Sequence, residues 1–243
     1  MHTRFILIGV SHAGNVGAAA RAMKTMGFSD LALVAPRWPN VLRRQETIER
    51  ASGALDVLEN ARIVAALDEA LEGMTHLCAT AMTPRDFGPP THAPRAHFER
   101  LARQDPPEDG VALLFGSERF GMRNEDVYRC HAALSIPSNP RFGSLNLGAA
   151  VQLIAYEWRQ ALGGFAVHSA APQGERADAA QVAAMLAHWQ QALTDIGFLD
   201  PAAPKKLMPR LNQLFNRAQP TQEEIHILRG VAKAMTGAAR AKG

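Results

Sequence analysis

Short apolar runs alternate with longer stretches of helical period over the first two thirds of this chain. Phe5–Val10, Leu31–Val34, His76–Ala81, Val111–Phe115 and Ala133–Ile136 are apolar at nearly every position. That continuity predicts strands of a sheet covered on both faces. Between them, Asn15–Met26 (stopped by Gly27 at a C-cap), Arg44–Leu58, Val64–Leu71 and Ala96–Arg103 carry helical period, and the amphipathic run Leu145–Leu162 ends in Gly163-Gly164. Strands and helices in alternation predict a doubly wound α/β domain. Residues 165–178 are small, polar and without period, which predicts a linker. Beyond it, Ala179–Ile196, Lys205–Arg217 and Gln222–Ala239 read as helices, the last opened by a capping box of Thr221 and Glu224. The expected organisation is a domain over residues 1–164, a linker over 165–178 and a helical extension over 179–243.

Three of the predicted strands empty into small and polar residues that open a helix: FILIGV into SHAGNVGAAAR, VALLFG into SERFGM, and LSIP into SNPRFGSLNLGAAV. In open α/β sheets ligands bind at the carboxyl ends of strands, where helix N-termini present free N–H groups. Each cluster also has a plainer reading. Asn15 suits an N-cap, with Gly17 and the alanines serving close helix packing; Glu118 and Ser144 suit capping positions. Arg21 is harder to explain locally. A cation this early in a helix opposes the macrodipole, which points to an external anion or to a carboxylate such as Glu118.

Composition narrows the field. At 243 residues the chain can bury a proper core in one large or two smaller domains. No apolar run approaches the roughly 18 residues of a membrane span, and the N-terminal run reads as a strand and not as a signal peptide. Cys78 and Cys130 have no metal-like spacing, and Cys78, in an apolar run, reads as a buried free thiol of a reducing cytoplasm. No metal site is expected from spacing. Neither GxGxxG nor a GxxxxGK[ST] loop occurs, which removes support from nicotinamide and nucleoside-triphosphate readings. From Phe165 onward nine Lys/Arg stand against six Asp/Glu, so the whole excess of +3 lies there. Lys205 to Arg217 holds four basic residues and no acid, a patch suited either to a polyanion such as nucleic acid or to a solvated helix face.

The ordered motifs N-V-G-A-A-A-R, F-G-S-E-R-F-G-M and I-P-x-S-L-N resemble those of the SPOUT superfamily of knotted RNA methyltransferases. SHAGNVGAAARAMKTMGF, the helix from SLNL to AYE, and the tail LFNRAQPTQEEIHILRG are similar to the bacterial tRNA (cytidine/uridine-32) 2'-O-methyltransferases, and the resemblance covers nearly the whole chain. It implies an α/β parallel-sheet domain with a deep trefoil knot, S-adenosylmethionine as cofactor, a cytoplasmic homodimer with active sites at its interface, and the tRNA anticodon stem-loop as partner. By motif, Arg21 would be the catalytic arginine, supported by Asn15, Glu118, Ser144 and Asn146. Thr80, Ala81, Met82, Gly116, Ile136, Gly143, Ser144 and Leu145 would hold the cofactor. Met122 stands where the family usually has leucine, a volume-conserving change. The stretch Thr83–Arg95 is the least family-like. Readings that remain open are methylation of another tRNA or rRNA nucleotide, and an RNA-binding relative without catalysis.

Overall fold

Every residue of the strand Gly110–Phe115 is buried, and its side chains feed two separate cores. Val111, Leu113 and Phe115 face one side of the sheet; Ala112 and Leu114 face the other. This period of two explains why the strand reads as unbroken apolar sequence. In the computed structural model, residues 2–81, 83–104, 109–167 and 174–240 are described. The chain divides into two compact units, Met1–Ala166 and Val167–Gly243.

The first unit carries seven strands: β1 (His2–Ile8), β2 (Asp30–Val34), β3 (Arg62–Val64), β4 (His76–Thr80), β5 (Thr91–His92), β6 (Gly110–Phe115) and β7 (Ala132–Leu134). They form one sheet in the order β3-β2-β1-β6-β4-β7-β5, parallel throughout. Its helices are α1 (Ala13–Thr25), α2 (Gln45–Ala51), α3 (Leu55–Glu59), α4 (Leu67–Leu71), α5 (Pro94–Ala102), α6 (Asn124–Tyr128) and α7 (Leu147–Ala161). Helices α1, α3, α5 and α7 bury their apolar stripes with Phe5 and Leu7 on one face, while α4 and α6 cover Ile6 on the other. Trp158 of α7 is fully buried, lies 5.0 Å from the Phe98 ring of α5, and donates its indole N–H to Thr3 Oγ1 at 2.9 Å. Burying each such side chain stabilises the fold by about 1.5–3 kcal/mol.

Small residues let the helices nearest the site approach closely. A Cβ on Gly17 would collide with the Thr47 carbonyl oxygen and come within 2.9 Å of the Ala51 nitrogen, so α1 and α2 meet backbone to backbone. Where α7 crosses α1, a Cβ on Gly148 would stand 2.7 Å from that of Ala18. The packing role anticipated for Gly17 and its alanines is therefore present.

Several expectations need correction. Arg44–Leu58 is not one helix: after a 3-10 turn at Val41–Arg43, α2 stops at Ala51, and Ser52 at φ +52° turns the chain before α3. Val64 belongs to β3 and not to a helix, and α4 spans only Leu67–Leu71. Strands β3 and β5 and helix α6, each five residues or fewer, were not anticipated because so short a run shows no period.

The second unit holds α8 (Ala179–Asp195), α9 (Leu207–Ala218) and α10 (Gln222–Arg240). Val182, Met185, Leu186 and Ile225 form its core, and Trp189 donates to the Leu228 carbonyl at 2.9 Å. The capping box at Thr221 and Glu224 is present in both directions. The helix expected from Lys205 begins at Leu207, because Lys205 holds φ +49° and leaves the helical path. Lys205, Lys206, Arg210 and Arg217 are exposed and enter no ion pair among the described residues.

Candidate active site

The carboxyl ends of β4, β6 and β7 converge on one cavity of about 320 Å3. Thr80 and Ala81 enter it from β4, Phe115 to Glu118 from β6, Leu134 and Ile136 from β7, and Gly143 to Leu145 from the segment leading to α7. Thr80 donates its hydroxyl to the Leu114 carbonyl at 2.8 Å, which ties β4 to β6 at the rim. The loop after β6 doubles back tightly. Ser117 and Gly121 exchange backbone hydrogen bonds of 3.2 and 2.9 Å, and a side chain at Gly116 would collide with the Gly121 backbone. Only glycine fits at Gly116, and the turn it permits aims Glu118 at the end of β1.

Glu118 is the anchor of a directional chain of hydrogen bonds. Its Oε2 accepts from the Ser11 amide (2.9 Å) and the Ser11 hydroxyl (2.8 Å); its Oε1 accepts from Asn15 Nδ2 (2.7 Å) and from the His12 amide (3.3 Å). Asn15 Oδ1 in turn accepts from Asn146 Nδ2 at 2.9 Å, and Asn146 Oδ1 accepts from the Gly148 amide at 2.9 Å as the N-cap of α7. The directions are forced. A capping oxygen must accept, so the Asn146 amide nitrogen points at Asn15, and the Asn15 nitrogen then points at residue 118. That position needs an acceptor on both oxygens, which is a carboxylate. Burial pushes the Glu118 carboxyl up, but the bonds from Asn15 and Ser11 and from its own backbone outweigh this and leave it below its ordinary range.

Of the residues anticipated for a cofactor, Thr80, Ala81, Gly116, Ile136, Gly143, Ser144 and Leu145 all line the cavity; Met82 lies outside the described residues. Asn15, Glu118 and Asn146 are brought together. Two local readings are corrected. Asn15 is not an N-cap but the third residue of α1, whose N-cap is His12; and Asn146, not Ser144, caps α7. The exposed Ser144 hydroxyl makes no hydrogen bond among the described residues. Arg21 is not in the cavity and does not pair with Glu118. Six residues beyond Asn15 on a helix, it is turned by about 240° from that face. Its exposed guanidinium has no partner among the described residues.

Residues 2–156 match the model of the SpoU rRNA Methylase family, and residues 180–243 match that of the tRNA methyltransferase TrmJ C-terminal domain. This chain belongs to the SpoU methylase family, in its TrmJ branch. The tRNA (cytidine/uridine/adenosine-2'-O-)-methyltransferase TrmJ of Pseudomonas aeruginosa is 40% identical over 240 residues, 94% of this chain and 91% of that protein. The tRNA (cytidine/uridine-2'-O-)-methyltransferase TrmJ of Pectobacterium atrosepticum is 40% identical over 237 residues, 96% and 95% of the two chains. A crystal structure of TrmJ from Z. mobilis ZM4 superposes with a TM-score of 0.79 at 33% identity, covering 97% of this chain and 100% of that one. The SpoU match thus spans the sheet and the cavity, and the TrmJ match spans the helical unit.

Two features of this TrmJ-branch chain escaped the sequence reading. One is Ser11, which gives Glu118 two of its donors; its only signal was its place in the loop after β1. The other lies away from the cavity, where His76, Cys78 and His97 gather with their ligand atoms within 4.8 Å of one another. His76 and Cys78 are two apart on β4 and so share a face, but His97 arrives from α5.

Proposed function

We propose that this chain transfers a methyl group from S-adenosylmethionine to the 2'-oxygen of cytidine or uridine at nucleotide 32 of the tRNA anticodon loop. The observation that carries the reading is the cavity itself. Its volume falls within the roughly 300–1,000 Å3 of small-molecule sites, its walls at Leu134, Ile136, Leu145 and Leu147 are apolar, and Glu118 is the one charged residue among those lining it. An ionised carboxylate beside an apolar slot complements a cationic sulfonium joined to an adenine. These residues therefore fit the cofactor, which when bound supplies a methyl group activated for attack by an oxygen nucleophile.

The chain's own groups position the nucleophile. Ser144, an exposed residue of the cavity lining, offers a hydroxyl that makes no hydrogen bond among the described residues, and Asn146 keeps one N–H beyond the one given to Asn15. Both suit a ribose hydroxyl. Asn15 and Glu118 are positioning residues, holding Asn146 and the Ser11 loop in register. Arg21 carries N–H donors and no acceptor atom, so it is not a base; its guanidinium, without a partner among the described residues, grips the phosphate beside the target ribose, and the 2'-proton leaves to a phosphate oxygen or to water. Arg21 does not line its own cavity, and in this reading it completes the site of a second copy in a homodimer. The exposed rings of Phe120 and Phe142 (86% and 79% accessible), on loops of the first unit, give that pairing apolar surface. The trefoil knot usual in this superfamily accompanies the reading, as does the cytoplasm, where tRNA is the substrate. The unpaired cations around α9 take the anticodon stem.

The test is ribose-methylation mapping of tRNA with and without the protein, repeated with Arg21→Lys. Methyl transfer at nucleotide 32 that drops at least tenfold in Arg21→Lys, with cofactor affinity unchanged, is expected, since lysine cannot hold phosphate bidentately. Methylation at another nucleotide refutes the position. tRNA binding without transfer identifies a non-catalytic relative. The P. aeruginosa relative's name adds adenosine, so substrates with each base at nucleotide 32 belong in the assay.

A further inference from the structure

Four of the nine histidines stack in a column on the β4-β7-β5 side of the sheet. The rings run His131, His76, His97, His92, with centroid separations of 5.1, 5.3 and 5.4 Å. Beneath the column the buried Cys78 thiol points at the same nitrogen of His97 that meets His76. We propose that His76, Cys78 and His97 form a transition-metal site with two imidazole nitrogens and one thiolate, of the class that takes zinc(II). None of these residues lines the cofactor cavity, and the proposal does not depend on the function assigned to it.

The distances decide in its favour. With Zn–N about 2.0–2.1 Å and Zn–S about 2.3 Å, a tetrahedral ion sets N···N edges of about 3.4 Å and N···S edges of about 3.6 Å. The corresponding separations are 3.1 Å between the two Nε2 atoms and 3.5 Å from Cys78 Sγ to His97 Nε2. The third pair, Cys78 Sγ and the His76 nitrogen, lies within 4.8 Å, and drawing it in toward about 3.6 Å closes the set around an ion. Imidazole and thiolate together select zinc, cobalt and copper(I) over calcium or magnesium. On binding, Cys78 gives its thiol proton to the buffer, and water fills the fourth position. Arg100 is the charge that faces the site, with a guanidinium nitrogen 3.2 Å from His97 Nδ1. Metal on Nε2 leaves a hydrogen on Nδ1, so Arg100, which is exposed, turns out to solvent. The site would clip α5 to β4 across the intervening stretch that is least like the family.

The full chain, stripped of metal with a chelator and kept anaerobic, is titrated with cobalt(II). Expected are one equivalent bound, the intense visible bands of tetrahedral cobalt, and a near-ultraviolet thiolate-to-cobalt transition, all removed by zinc. Cys130→Ala keeps the thiolate transition and Cys78→Ala loses it, while His76→Gln and His97→Gln weaken cobalt binding by about tenfold or more. Zinc raises Tm in the wild type and not in Cys78→Ala. No tetrahedral spectrum, or a thiolate transition that survives Cys78→Ala, overturns the proposal. If Cys78→Ala does not fold, alkylation of the wild type read by peptide mass spectrometry decides instead. Zinc should slow labelling of Cys78 about tenfold and leave Cys130 unaffected, and equal slowing of both refutes the site.

Discussion

Glu118→Gln removes one oxygen acceptor and changes almost nothing in volume. The substituted amide must turn its nitrogen either toward Ser11, which donates twice at 2.9 and 2.8 Å, or toward Asn15, which donates at 2.7 Å. Neither orientation satisfies both sides. Turning Asn15 over to accept would set its nitrogen against that of Asn146, which is held by its cap on Gly148. At least one charge-assisted bond, worth about 1.5–3 kcal/mol, is lost, and a donor is left facing a donor. Since the site is half-buried, the lower part of that range applies, about 1–2 kcal/mol. Amide hydrogen exchange at Ser11 and His12, whose N–H groups both end on Glu118, reads this directly. Protection should fall by roughly five- to thirtyfold. Asn146→Asp separates the two roles of Asn146, because it retains a capping oxygen and loses the donor to Asn15; it should loosen the Asn15 side and leave the start of α7 intact. The pH behaviour has a definite sign. The folded Glu118 pKa is depressed, so its contribution is complete above the unfolded value near 4.3 and is lost only as pH falls through the lower folded value. Corrected for intrinsic exchange, wild-type protection should therefore be flat from pH 8 to about 5 and decline below that, a decline absent from Glu118→Gln. Unchanged protection at Ser11 and His12 in Glu118→Gln would refute the directional chain.

Glu118→Gln should also narrow the preference for cationic S-adenosylmethionine over its neutral product by about fivefold in calorimetry, about 1 kcal/mol of lost charge attraction; an unaltered ratio means the carboxylate does not sense the sulfonium. Gly17→Ala should lower thermal stability by about 1–2 kcal/mol, the overpacking against Thr47 and Ala51 exceeding the helix-propensity gain of about 1 kcal/mol; a stabilised variant in melting experiments would show that α1 and α2 separate at little cost. Trp158→Phe should destabilise by about 1–3 kcal/mol, since it leaves the Thr3 hydroxyl without its indole partner inside the core. Reversing charge at Lys205, Lys206 and Arg210 together should weaken tRNA binding more than tenfold and flatten its salt dependence, with cofactor affinity unchanged; unaltered tRNA affinity removes the basic segment from the interface.

The alternation of apolar runs and helical period was enough to place β1, β2, β4, β6, α1 and α7, because each is long enough to bury a recognisable face. It failed where elements are short or where the chain turns: β3, β5 and α6 carry too few residues for a period, and the break at Ser52, next to Gly53, was read through although glycine is a local breaker. The residues of the cavity were legible as three strand ends with polar side chains, and the family resemblance ordered them. Their bonding was not legible. Asn15 and Ser144 each read locally as a cap, and neither is one.

The sequence alone therefore determined the layered α/β class, the helical second unit and the identity of the groups available for chemistry, since hydrophobic period and residue type are local properties of the chain. Tertiary structure decided which groups meet. Glu118 reaches Ser11 across 107 positions and Asn146 reaches Asn15 across 131, and His97 joins His76 and Cys78 from a helix on another part of the chain. Hydrogen-bond direction and ligand geometry depend on atoms brought within about 3 Å by folding, and no spacing along the chain encodes that distance.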